Sequence, residues 1–96
     1  MIRQYEATYI LKPDMEQEAR ESLTERIKGI ITDHNGEILE VDDWGSRKLA
    51  YEIKDYKNGY YTIITFKGDA SLVNELERNF KIIDEVLRYL VINTEN

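Results

Sequence analysis

The spacing of apolar residues switches between a period of two and a period of 3.6 along this chain, and the order of those switches constrains the fold more than any single motif. Residues 2–11 alternate, with Tyr5, Ala7, Tyr9 and Leu11 on one side and Gln4, Glu6 and Thr8 on the other. That is a strand, and Pro13 ends it. Met15, Ala19, Leu23, Ile27, Ile30 and Ile31 then recur at helical spacing. Asp14 followed by Gln17 has the composition of a capping box, and Asn35-Gly36 supplies the stop, with Gly36 expected in the left-handed conformation. Residues 37–54 return to extended character, with a bend or bulge expected at Gly45. Asp55 to Gly59 reads as a hairpin turn, and Tyr60 to Lys67, rich in aromatic and β-branched residues, as the returning strand. Leu72, Val73, Leu76 and Phe80 mark a second helix with Asp69 or Ser71 as its cap, and residues 85–92 close the chain as a strand.

The succession is therefore strand, helix, strand, strand, helix, strand. Two strand-helix-strand units obey the right-handed crossover rule when they interleave into one antiparallel sheet of four strands with both helices on a single face. This is an α+β ferredoxin-like sandwich (βαββαβ). Ninety-six residues supply one core, so residues 1–96 form a single domain. The second face of the sheet lacks helical cover and is a platform for RNA or a protein.

Charge is divided unevenly over this frame. Residues 4–46 hold eleven acidic against four basic side chains and residues 68–96 hold six against three, whereas residues 47–67 hold five basic against two acidic. A basic, aromatic hairpin on an acidic body suits an anionic partner, because Lys and Arg meet phosphates and aromatic rings stack on bases. The net charge of −6 argues against coating nucleic acid by bulk electrostatics. RNA binding would then depend on a basic partner that supplies the missing counter-charge.

Arg47, Lys48, Lys54 and Lys57 are four of the five cations of this stretch, and a guanidinium beside the Gly45 irregularity suits bidentate phosphate contact. The competing explanation is charge that keeps an exposed strand soluble and unpaired. Tyr51, Tyr56, Tyr60 and Tyr61 are packing residues or stacking platforms. Residues 57–66 share part of the third-strand signature of RNA-recognition modules, without its second glycine or the paired first-strand motif.

Nothing in the chain resembles a catalytic set: it has no glycine-rich phosphate loop, no cysteine and no nucleophile elbow, so no enzyme activity is expected. The pairs Asp42-Asp43 and Asp84-Glu85 lack the spaced oxygen ligands of a calcium loop, and the single His34 has no ligand partners, so no metal or cofactor is expected. Helix one reads as a wet face with a Glu16–Arg20 pair. Absent cysteine and absent apolar runs of membrane length point to the cytoplasm, with no membrane and no small-molecule substrate.

The segments Trp44-Gly-Ser-Arg47-Lys48-Leu-Ala-Tyr51, Gly59-Tyr60 and Asp84-Glu85-Val86-Leu87-Arg88-Tyr89-Leu90-Val91, with the opening Arg3-Gln4-Tyr5-Glu6 and the Pro13 turn, carry a likeness over nearly the whole chain. It closely resembles the bacterial small-subunit ribosomal protein S6 family. The resemblance implies a ribonucleoprotein component of the ribosome, active in translation without being an enzyme. It implies pairing with ribosomal protein S18 and docking on the central domain of small-subunit ribosomal RNA. Matched to the family pattern, Arg3, Arg47, Lys48 and Arg88 are the basic candidates for RNA contact, joined by Lys54 and Lys57 from the hairpin. Tyr51 and Tyr61 match aromatic positions, for packing or stacking. Two other readings stand beside it: a stand-alone module that stacks single-stranded RNA on sheet tyrosines, and a ligand-sensing domain that dimerises through its sheet.

Overall fold

β1 (Arg3–Leu11) buries Ala7, Tyr9 and Leu11 and turns Gln4, Glu6 and Thr8 the other way, as its alternation requires. The computed structural model describes residues 1–95. In it, α1 (Gln17–Asp33), β2 (Glu37–Ile53), β3 (Tyr56–Gly68), α2 (Ala70–Ile82) and β4 (Val86–Asn93) follow in turn. All neighbouring strands are antiparallel, in the order β2-β3-β1-β4. Leu23, Ile27 and Ile31 of α1 meet Leu72, Leu76 and Phe80 of α2 in one core with the inward residues of β1 and β3. The ferredoxin-like expectation therefore holds. Tyr9, Phe80 and Tyr89 form an aromatic ladder through that core, with ring centroids 5.4 and 5.3 Å apart.

Local signals were met in part. Asp69 caps α2 as expected, its Oδ1 accepting from the Leu72 amide at 3.0 Å. Asp14 does not cap α1: the helix starts two residues later behind Glu16, whose side chain makes no capping bond, and Asp14 instead accepts a hydrogen bond from the Tyr56 hydroxyl. At the other end of α1 it is Asn35, not Gly36, that takes the left-handed conformation, at φ 64°. The Gly36 amide donates to the Ile31 carbonyl and the Asn35 amide to the Thr32 carbonyl, which together make a Schellman cap. Gly36 answers to space instead, since a Cβ there would come within 2.7 Å of both the Leu72 and Ile31 side chains.

The hairpin turn also lies earlier than its composition suggests. Ile53 pairs with Tyr56, so Lys54 and Asp55 form a two-residue loop, at φ 50° and 70°. Positive φ at both positions is the type I′ geometry that matches the twist of the flanking strands. β2 accommodates its extra residues in register shifts between Ile38 and Glu40, Asp43 and Gly45, and Lys48 and Ile53. The bulge expected near Gly45 is the second of these, with Gly45 at φ 77° and Trp44 as the residue set aside, its indole Nε1 donating to Asp42.

Candidate nucleic-acid interface

β1 ends at Leu11, opposite Tyr60, so residues 47–59 run on past the central strand as a two-stranded extension. Leu49 and Gly59 anchor it: Leu49 is buried, and a Cβ on Gly59 would stand 2.2 Å from Ile10 and 3.2 Å from Leu49. Only glycine lets the two strands settle onto Ile10. Arg47 faces Gly59 and Lys48 faces Asn58 in the pairing, while Lys54 sits in the turn and Lys57 just after it. All four cations are exposed, and none has a carboxylate within salt-bridge distance among the described residues.

Arg88 joins this group from the opposite edge of the sheet. Its guanidinium lies 5.5 Å from the centre of the Tyr51 ring and donates a hydrogen bond to the Tyr51 hydroxyl. The hairpin thus reaches across the uncovered face to β4. Arg88, Ile10 and Tyr61 share one register row and, with Thr8, Tyr89 and Leu90, line a depression of about 270 Å³ on that face. Tyr61 is half-buried there; Tyr51 is 59% exposed yet engaged by Arg88. Arg3 stands apart. It opens β1 opposite Gly68, about 23 Å from Ile10 at ~3.3 Å per residue.

The tyrosines of the uncovered face, Tyr61 and Tyr51, gather at its hairpin end. Its β1 row is Gln4, Glu6, Thr8 and Ile10, without an aromatic ring, and Glu40 and Asp42 of β2 fall on the same face. The helix side holds a second hollow, about 580 Å³, between α1 and the β2–β3 pair. Its polar groups satisfy one another. The Tyr9 hydroxyl meets Thr24 Oγ1 at 3.0 Å, Tyr60 donates to Asp43 at 3.0 Å, and the Arg20 guanidinium lies 4.1 Å over the Tyr60 ring while donating to the Met15 carbonyl. Arg20 is therefore spent on Tyr60 and Met15, and the expected Glu16 pair does not form. Burial first, then the Asp43 carboxylate, pushes the Tyr60 hydroxyl above its ordinary value, against the pull of Arg20.

His34 closes α1 with its Nδ1 2.9 Å from the Ile30 carbonyl, and among the described residues no group of three His, Asp or Glu side chains converges on a metal position. No helix among them is long and apolar enough to cross a membrane. The Tyr51–Arg88 contact was beyond reach of sequence reasoning, because 37 residues separate the partners and no local pattern links the two segments that carry them.

Residues 4–93 match the sequence profile of the family described as Ribosomal protein S6. The chain is 49% identical over 94 residues to small ribosomal subunit protein bS6 of Thermoanaerobacter pseudethanolicus, covering 98% of this chain and 99% of that one. It is 42% identical to the bS6 of Moorella thermoacetica, with 98% and 96% covered. The crystal structure of 30S ribosomal protein S6 from Thermotoga maritima superimposes with a TM-score of 0.91 at 38% identity, over 97% of this chain and 88% of that one. An uncharacterized protein from the same organism shares the fold alone, with a TM-score of 0.60 at 16% identity over 99% of this chain and all of that one.

Proposed function

This chain belongs to the ribosomal protein S6 family of the small ribosomal subunit, and from that premise we propose that it docks on the central domain of small-subunit ribosomal RNA together with ribosomal protein S18. Its relatives are ribosomal proteins, not enzymes. The observation that carries the reading is the extension of residues 47–59, whose four exposed cations lie beyond the central strand and are tied through Tyr51 to Arg88. Arg47, Lys48, Lys54, Lys57 and Arg88 act as one footprint for phosphates. Such contacts set position and give salt-dependent affinity, while RNA shape and the second protein set the site. Arg3, at the far end of β1, makes a separate contact.

The net charge of −6 keeps the lone protein a weak RNA binder. S18 supplies the missing positive charge, and the pair binds where neither does alone. A gel-shift titration of a central-domain RNA fragment, with this protein alone and with S18 added, tests this directly. Binding is expected only with both proteins. Arg47→Ala combined with Arg88→Ala should weaken it and lower the slope of log K against log salt by roughly one for each phosphate that is no longer neutralised. Undiminished assembly by the double variant at raised salt would refute the footprint.

A further inference from the structure

Between the pairs Lys48 with Asn58 and Ile53 with Tyr56, β2 spends four residues, 49–52, against the single Lys57 of β3. Such a surplus bends the longer strand and raises its twist. Leu49, the first of the four, is buried near Ile10 and Gly59. Tyr51 is thereby carried onto the uncovered face, where its ring lies 5.5 Å from the Arg88 guanidinium and its hydroxyl accepts a hydrogen bond from Arg88 Nη1. Burial does not account for that placement, since 59% of Tyr51 stays in water. The ring is there for the cation.

Arg88 is exposed, and no carboxylate lies within salt-bridge distance of it among the described residues. Tyr51 takes one face of the guanidinium and one of its N–H groups, which leaves the other donors of the planar fork for an anion. An arginine side chain loses rotamer freedom when it is fixed on a phosphate, and that loss subtracts from affinity. Arg88 has already lost it in the free protein. We propose that Tyr51 is a positioning residue, which holds Arg88 oriented for a backbone phosphate of the RNA without touching the RNA itself. The inference rests on the proposed docking on ribosomal RNA and names the residue that prepares Arg88 for it.

The test is a double-variant cycle of Tyr51→Ala and Arg88→Ala, titrated by gel shift onto the central-domain RNA fragment with S18 present, at several salt concentrations. Tyr51→Ala should raise the dissociation constant roughly three- to tenfold, the scale of one side chain that must be immobilised on binding. The slope of log K against log salt should stay as in the parent, because the same phosphates are met by a less ordered cation. Arg88→Ala should lower that slope by roughly one, and adding Tyr51→Ala to it should weaken binding no further. Tyr51→Phe, which keeps the ring face and loses the hydroxyl, should bind between the parent and Tyr51→Ala. An equal loss from Tyr51→Ala with and without Arg88 overturns the inference and gives the ring its own contact with RNA. No loss in either background, or an Arg88→Ala slope equal to that of the parent, overturns it as well. Both side chains are exposed, so the variants should melt with the parent. A readout in the free protein needs no RNA: the ring current of Tyr51 should displace the NMR signals of the Arg88 side-chain protons, and Tyr51→Ala should abolish the displacement. Its absence from the parent overturns the held Arg88. A parent that binds RNA with S18 yet shows no coupling in the cycle sinks the inference alone, whereas a parent that fails to bind takes the proposed function with it.

Discussion

The helix-covered part of the sheet and the hairpin extension share two strands, β2 and β3, yet they are held by different means. Where α1 and α2 lie on the sheet, Tyr9, Ile64, Phe66, Leu72, Leu76 and Phe80 are fully or almost fully buried and every inward position is specified by its neighbours. Beyond β1, Leu49 is the one buried apolar side chain of the extension, and the exposed positions carry Arg47, Lys48, Lys54 and Lys57. Stability is thereby concentrated in one region, and the recognition proposed above falls to the other. The division lets the charges of the hairpin be chosen for a partner with little cost to the fold.

The largest test of this division is Phe80→Ala. It removes the ring between Tyr9 and Tyr89 and should cost about 3–5 kcal/mol in urea unfolding, whereas neutralising Arg47, Lys48 or Lys57 should change stability by less than about 0.5 kcal/mol. Comparable losses in both regions would break the comparison. Gly59→Ala comes next, because it strikes where the regions join. The added methyl meets Ile10 at 2.2 Å, so the hairpin must lift or Ile10 must leave its rotamer, for about 1–3 kcal/mol. If thermal melts show no loss, the extension is not anchored on Ile10.

A smaller effect separates the two regions by pH. Burial pushes the Tyr9 hydroxyl above the ordinary value of 10.0, against the lowering effect of its bonds to Thr24 and Thr62. The folded protein holds this proton at a pH where the unfolded chain has released it. The contribution of Tyr9 is therefore complete below pH 10.0 and is lost as pH rises through the native value. Tyr9→Phe should cost about 1 kcal/mol at neutral pH, because the Thr24 bond is removed, and the gap between parent and variant in denaturant midpoint should narrow above pH 10. A gap that stays constant to about pH 11 would show that the hydroxyl is not held by the core.

How much of this was legible in the sequence follows the same line. Alternation and helical spacing specified the six elements, the inward face of β1 and the buried stripes of both helices, because burial there is dictated by period alone. Signals that depend on which of two residues wins were misplaced by one to four positions. Asn35 tolerates the left-handed conformation, which left Gly36 free to serve a close approach to Leu72 and Ile31. Gly59 looked like a turn residue for the same reason, and it proves to be a strand residue under Ile10. The cationic character of the hairpin was plain in the sequence. Its union with Arg88 was not, because it depends on how far the extension curls across the sheet.

The smallest effect is the most discriminating. Lys54 and Asp55 both occupy the left-handed region, where a side chain costs about 1–2 kcal/mol that glycine avoids in exchange for about 0.5–1 kcal/mol of chain entropy. Lys54→Gly and Asp55→Gly should thus each stabilise the protein by up to about 1 kcal/mol, by the same mechanism. Their effects on RNA should diverge, since the first removes a cation from the hairpin and the second removes its carboxylate. Paired measurements of thermal midpoint and of RNA affinity in the presence of S18 would read both at once. A parallel rise in stability with opposite shifts in affinity is the expected outcome, and it would mean that the turn keeps a strained lysine for its charge. If both variants instead bind RNA equally well, the charge of the turn does not reach the RNA, and the footprint contracts to Arg47, Lys48, Lys57 and Arg88.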